Sequence, residues 1–158
     1  MKKRIKTLEF IDYEGLSSLK KEDRILMEKA IEASRLTYSP YSEFPVGCAV
    51  LLDNGEIVLG ANQENAAYPS GLCAERVALF QIGVNHKENS IVKMAVHSQK
   101  DLNGRPIVPC GGCLQVMVES SNRQDSPIEL WLYSGTNVLK FDDVHDLLPF
   151  SFGKNDLK

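Results

Sequence analysis

The chain has 158 residues, 43% of them hydrophobic, which suits one domain able to bury a sizeable core. Its 18 basic and 21 acidic side chains leave a formal charge of −3, and no stretch interleaves several Lys or Arg with aromatics, so a nucleic-acid track is excluded. No apolar run is long enough to span a bilayer, and no partner in the membrane is expected.

In chain order, Met1-Lys2-Lys3-Arg4-Ile5-Lys6 is charged like the opening of a signal peptide. Glu9 and Asp12 interrupt the apolar stretch that would have to follow, and no small-residue cleavage site comes after it. Residues 1–17 read as an N-terminal extension, be it an added edge strand, an interface arm or a frayed terminus; residues 18–158 read as one domain. Leu19 to about Thr37 mixes charged and apolar residues at helical spacing, and Ser39-Pro40 stops that helix. Val46–Leu52 and Glu56–Asn62 are β-prone runs joined by Asp53-Asn54-Gly55, whose Asn-Gly supplies the positive φ angles of a tight hairpin.

Cys73 to Ile82 predicts a helix ended by Gly83, with Ala74, Val77, Ala78 and Ile82 on one side. Ile91–His97 follows as a strand, Gln99–Pro106 as a surface loop, Gly111 to about Ser120 as a helix and Ile128–Tyr133 as a strand. Val138–Phe141 adds an edge strand and Val144–Leu148 a short last helix. A strand-to-strand crossover through a helix covers a sheet face, so this order predicts an α/β domain with a central mixed sheet flanked by helices.

Cys73-Ala74-Glu75-Arg76 and Pro109-Cys110-Gly111-Gly112-Cys113 carry the chemistry. Three clustered thiols and one acid outside the ligand set describe a catalytic zinc site, because such a site keeps three protein ligands and an open fourth position. Cys73 and Glu75, two apart, can share a site only if Cys73 enters a helix and Glu75 lies in its first turn. Cys110 and Cys113, three apart, share a helical face. Both helix N-termini favour thiolate. Three thiolates on Zn²⁺ carry an excess negative charge, and Arg76, three residues from Cys73, is placed to donate to the ligand sulfurs. Cys48 lies in an apolar run and reads as a small core residue. Thiols needed as ligands fit a reducing cytoplasm.

A first ligand, one residue, Glu, and a later Pro-Cys-x-x-Cys is the zinc deaminase signature, known also in an all-cysteine form. With Tyr38-Ser39-Pro40-Tyr41-Ser42-Glu43-Phe44-Pro45-Val46-Gly47, Gly60-Ala61-Asn62-Gln63-Glu64-Asn65-Ala66-Ala67-Tyr68 and Leu147-Leu148-Pro149, the chain resembles the small, homotetrameric, three-cysteine cytidine deaminases over about residues 34–152. The resemblance implies a three-layer α/β/α cytidine deaminase-like fold with a central mixed five-stranded sheet. It implies zinc on Cys73, Cys110 and Cys113, and hydrolytic deamination of cytidine and 2′-deoxycytidine in pyrimidine salvage, with Glu75 moving the protons. It also implies Asn62 and Glu64 on the ribose, Phe44 lining the base pocket, the Ala74 backbone on the base, and Tyr68 and Phe152 reaching neighbouring subunits of a homotetramer. Phe150 is a second candidate for the stacking ring. The chain departs from the family's pattern at Val77, commonly Thr, and at Leu114, commonly Arg.

Other uses of the same residues stay open at this level. The motif serves equally for another cytosine-bearing small molecule. A non-catalytic zinc-stabilised interaction domain would need a fourth ligand from His86, His97 or His145, and a Cys-His nucleophile would pair Cys73 or Cys110 with His97.

Overall fold

The computed structural model describes residues 1–100 and 104–157. Nine regular elements follow in order among them: β1 (Ile11–Tyr13), α1 (Lys21–Ala33), β2 (Val46–Leu52), β3 (Ile57–Ala61), α2 (Ala74–Asn85), β4 (Ile91–Ser98), α3 (Gly111–Gln124), β5 (Glu129–Tyr133) and β6 (Val138–Phe141). A short 3₁₀ turn at Val144–Leu147 stands where the last helix was expected. The strands form one mixed sheet in the order β1-β6-β5-β4-β2-β3, in which β4 and β5 pair in parallel and the other neighbours antiparallel. No helix among the described residues is long and apolar enough to cross a membrane.

Period-two alternation sorts the core into two layers. Cys48, Val50 and Leu52 of β2, Met94 and Val96 of β4, and Leu130 and Leu132 of β5 pack with Ala78, Leu79 and Ile82 of α2 and Cys113, Met117 and Val118 of α3. Ala49, Ala95 and Trp131 point the other way, onto Leu26, Met27 and Ala30 of α1. The three-layer expectation holds. Cys48 is fully buried, as its apolar run predicts.

Two glycines set how closely helices approach the sheet. A Cβ on Gly47 would overlap the Ala30 carbonyl and the Ser34 amide of the α1 end, and one on Gly60 would overlap the Ala74 carbonyl and the Ala78 amide of α2. Gly60 therefore lets the first turn of α2 lie directly on β3, which matters because that turn carries the motif.

The structure differs from the sequence reading in three further places. The sheet has six strands rather than five, because Ile11–Tyr13 of the N-terminal extension pairs with Val138–Lys140 of β6. Three exposed or half-buried residues carry no alternation signal; a free sheet edge supplies the hydrogen bonds that make them a strand. Gly83 does not end α2, which continues to Asn85 and closes when the His86 amide bonds the Ile82 carbonyl. Nothing crowds Gly83 and its φ is not positive, so the helix tolerates it. Helix α1 stops at Ala33, short of Thr37, freeing Thr37 and Tyr38 to hydrogen-bond Asn62. The loop expected over Gln99–Pro106 includes residues 101–103, which lie outside the described residues.

Candidate active site

Cys73 and Cys110 are the residues immediately before α2 and α3, and both have extended backbone (φ −70°, ψ 155° and φ −68°, ψ 161°). Neither side chain makes a capping hydrogen bond, so each thiol stays available. One turn into α3, Cys113 joins them, and the three Sγ atoms lie within 4.8 Å of one another. Among the described residues this is the one group of His, Cys, Asp or Glu side chains gathered as a metal shell would need. Cys110 and Cys113 are 3.6 Å apart, near the edge of about 3.8 Å for sulfurs placed about 2.3 Å from a tetrahedral ion. All four cysteines are free thiols. The donor set fits zinc, and Cys73, Cys110 and Cys113 are the residues that would hold it.

The histidines offer no fourth ligand. His86 faces Glu56 at 3.2 Å, and His145 lies between Asp143 and Asn122 at 2.8 Å and 3.2 Å. His97 is buried, stacked on Tyr133, with Nδ1 3.1 Å from the Tyr133 carbonyl. The four-ligand interaction domain and the Cys-His pair thus lose their histidine.

Protons are shared unevenly among the thiols. The hydrogen bond from Cys113 and, next, the Arg76 guanidinium bring Cys73 down to about 5. Cys113 is pushed up because it is that donor, is buried and faces the negative Cys73 and Glu75. Arg76 Nη2 lies 3.6 Å from Cys73 Sγ, the placement its spacing predicts, and this bond is the first cause of its raised pKa. Glu75 is 3% exposed, and burial is the main reason its carboxyl holds its proton above the usual range, with the Cys73 charge adding to it. Its Oε2 is buried without a hydrogen-bond partner, as is Arg76 Nε. A desolvated carboxyl beside a metal shell, with one oxygen unspent, suits a group that takes and returns protons.

A cavity of about 440 Å³ opens beside Cys73 and Arg76, and Asn62, Glu64 and Tyr68 from the predicted set line it. Asn62 is held on three sides: its Oδ1 accepts from Thr37 Oγ1 at 2.5 Å and from the Val46 amide at 2.8 Å, and its Nδ2 donates to the Phe44 carbonyl at 3.0 Å. Glu64 Oε2 accepts from the Tyr41 and Ser42 amides at 2.9 Å and 3.2 Å, and Oε1 accepts from the Ser42 hydroxyl. Tyr68 is exposed, with its ring 6.1 Å from that of Tyr41. Phe44 is half-buried against the core, and Ala74 is fully buried at the start of α2. Phe152 stands apart: it is exposed, lines no part of this cavity, and its carbonyl accepts from Gln115 Nε2 of α3 at 2.8 Å. Phe150 is more exposed still. Tyr41, Ser42 and Thr37 were given no role from sequence; only the place of Tyr41 and Ser42 within the Tyr38–Gly47 segment, and of Thr37 just before it, could have marked them.

Known proteins resemble this chain. Residues 20–125 match the family described as the cytidine and deoxycytidylate deaminase zinc-binding region. A cytidine deaminase of Halalkalibacterium halodurans is 37% identical over 136 residues, spanning 85% of this chain and 96% of that protein. One from Sporosarcina psychrophila is 39% identical over 132 residues, spanning 84% and 92%. Among solved structures, the crystal structure of cytidine deaminase from Burkholderia pseudomallei superposes with a TM-score of 0.69 at 34% identity, covering 85% of this chain and all (100%) of that one.

Proposed function

The chain belongs to the cytidine and deoxycytidylate deaminase family with its zinc-binding region, and on that premise we propose that it hydrolyses cytidine and 2′-deoxycytidine to uridine and 2′-deoxyuridine with release of ammonia. The observation that carries this reading is the meeting of three cysteine sulfurs with a buried, partnerless Glu75 oxygen at the joined N-termini of two helices.

Zinc, when bound by Cys73, Cys110 and Cys113, supplies a Lewis acid that makes water a nucleophile near neutral pH. Glu75 accepts a proton as the water oxygen bonds to C4 of the cytosine ring and passes it to ring N3. It then delivers the second proton of that water to the exocyclic amine, the C4–N bond breaks, and ammonia leaves a C4 carbonyl behind. Arg76 offsets the charge of the thiolates. Asn62 and Glu64 bind the sugar, Phe44 and the Ala74 backbone border the base, and Tyr68 and Phe152 reach across to complete a neighbouring subunit's pocket.

The cavity favours a free nucleoside over deoxycytidylate. Among the described residues Arg76 is its single lining cation and is committed to Cys73, whereas Glu64, held ionised chiefly by the Ser42 hydroxyl, would repel a phosphate. The catalytic unit is read as residues 18–158 with 1–17 as an extension, acting in the cytoplasm in pyrimidine salvage; the free thiols support a reducing compartment. The exposed Phe80, Val84, Phe150 and Phe152 support a homotetramer whose tails complete neighbouring pockets.

The test mixes the purified protein with cytidine, deoxycytidine, deoxycytidylate and cytosine, following ultraviolet absorbance, ammonia and bound zinc. Ammonia from both nucleosides with one zinc per chain is the expected result; turnover of deoxycytidylate alone overturns the nucleoside reading. Truncation after Pro149 should raise KM and weaken assembly, and a fully active monomer would remove the tail from the pocket.

A further inference from the structure

Asn62 and Glu64 bracket one short loop. The Asn62 amide holds the Phe44 carbonyl, and the Glu64 carboxylate holds the Tyr41 and Ser42 amides. Between them Glu43 turns the chain in the left-handed region (φ 51°), its amide bonded to the Ser39 carbonyl at 3.0 Å. A non-glycine residue keeps that conformation only when its surroundings impose it. Ser42 bridges this turn through one atom: its hydroxyl donates to Glu64 Oε1 while the same oxygen accepts the Phe44 amide at 3.1 Å. Amide, hydroxyl and carboxylate form a continuous chain from the Phe44 backbone to the rim of the cavity.

We infer that Ser42 is a positioning residue, acting through Glu64: it orients the carboxylate toward the substrate's sugar and ties that orientation to the backbone of Phe44. The inference rests on the nucleoside reading of the cavity. With its proton given to Glu64 and a lone pair taken by Phe44, the Ser42 hydroxyl at the cavity wall acts on the substrate through Glu64. Three donors on one carboxylate leave about one of its four lone-pair sites free but fixed in direction, so a sugar hydroxyl meets an acceptor already in place. Such preorganisation acts on binding more than on the chemical step.

The experiment is a double-mutant cycle on the zinc-loaded enzyme with cytidine, reading kcat and KM separately for Ser42→Ala, Glu64→Ala and the double variant, with Ser42→Thr as rescue. Ser42→Ala should raise KM about tenfold, the loss of one hydrogen bond to a charged group, with kcat moving far less. Ser42→Thr keeps the hydroxyl at an exposed position and should restore KM to within about twofold, and in the Glu64→Ala background Ser42→Ala should add no more than about twofold. Bound zinc and the unfolding midpoint serve as the check on folding. A full tenfold penalty from Ser42→Ala without Glu64 overturns the inference, as does an unchanged KM in Ser42→Ala while Glu64→Ala raises it. An unchanged KM in Glu64→Ala sinks the sugar-site reading itself, and the Ser42 role with it.

Discussion

Two clusters of charged side chains occupy opposite faces of the sheet, and they treat their polar groups in opposite ways. On the α1 face, Lys93 reaches Asp23 at 2.6 Å and Glu129 at 3.6 Å, and Lys140 reaches Glu129 at 3.6 Å and Asp142 at 2.5 Å. Trp131 lies between, its Nε1 donating to Glu129 at 3.2 Å, with both ammonium groups within 5.8 Å of its ring centre and Tyr13 stacked on it. On the other face, Glu75 Oε2 and Arg76 Nε are buried without partners, and three thiols crowd together. A closed network of paired charges stabilises a fold, while buried groups left unpaired cost stability and persist where chemistry uses them.

That contrast breaks most visibly at Glu75. Glu75→Gln should lower kcat by about 10³–10⁴, near the upper range for a group that serves both proton steps, while zinc content and stability stay at wild-type levels. Loss of zinc in this variant would move Glu75 into the metal's ligand set. Arg76→Gln should cost about 10–100-fold in metal affinity or activity, since the guanidinium supports the Cys73 sulfur; chelator competition and steady-state rates measure both, and wild-type values would return Arg76 to a solvated surface role.

Gly60→Ala sharpens the comparison from the backbone side. The added Cβ forces α2 off β3, so stability should fall by about 1–3 kcal/mol, and kcat should fall with it as Cys73 and Glu75 move relative to Cys110 and Cys113. Urea titration and turnover of the same preparation decide. Lys93→Met should do the reverse of Glu75→Gln, lowering stability by about 1–2 kcal/mol by leaving Asp23 without its cation and sparing kcat. A kcat change would mean that the two faces are coupled.

The smallest effect is pH-dependent. Burial holds the His97 imidazole below its usual 6.5, with the Tyr133 carbonyl offsetting part of the shift. The unfolded chain takes up a proton near 6.5 where the folded chain does not, so this contribution to stability is present above that pH and is lost as pH falls below it. The difference in urea midpoint between pH 7.5 and pH 5.5 should therefore shrink in His97→Gln, and an equal loss in both proteins would clear His97.

Much of the fold was legible because its signals are local. Val46–Leu52 and Val138–Phe141 are strands at the predicted bounds, since β-prone runs bounded by turn residues need no distant information. Gly83 misled because a glycine inside a helix and one at its end look alike in sequence; packing of Ile82 against the core carries α2 onward. The zinc motif was readable because cysteines entering two helices have little structural use there. The role of Ser42 was not, since its partners, Glu64 and the Phe44 amide, meet only once the Tyr38–Gly47 segment folds against Asn62–Glu64.

By itself the sequence determined the residue chemistry: three thiols for zinc, an acid outside the ligand set, the helices that carry them, and membership of a family through motifs in order. The tertiary structure decided what depends on distant partners. It brought the N-termini of α2 and α3 together, seated the first turn of α2 on β3 at Gly60, left Glu75 Oε2 without a partner, and fixed Asn62 and Glu64 by backbone groups far away in the chain. It also recruited Ile11–Tyr13 to the edge of β6, because an unpaired strand edge is satisfied by whatever backbone reaches it, and composition does not record which segment that is.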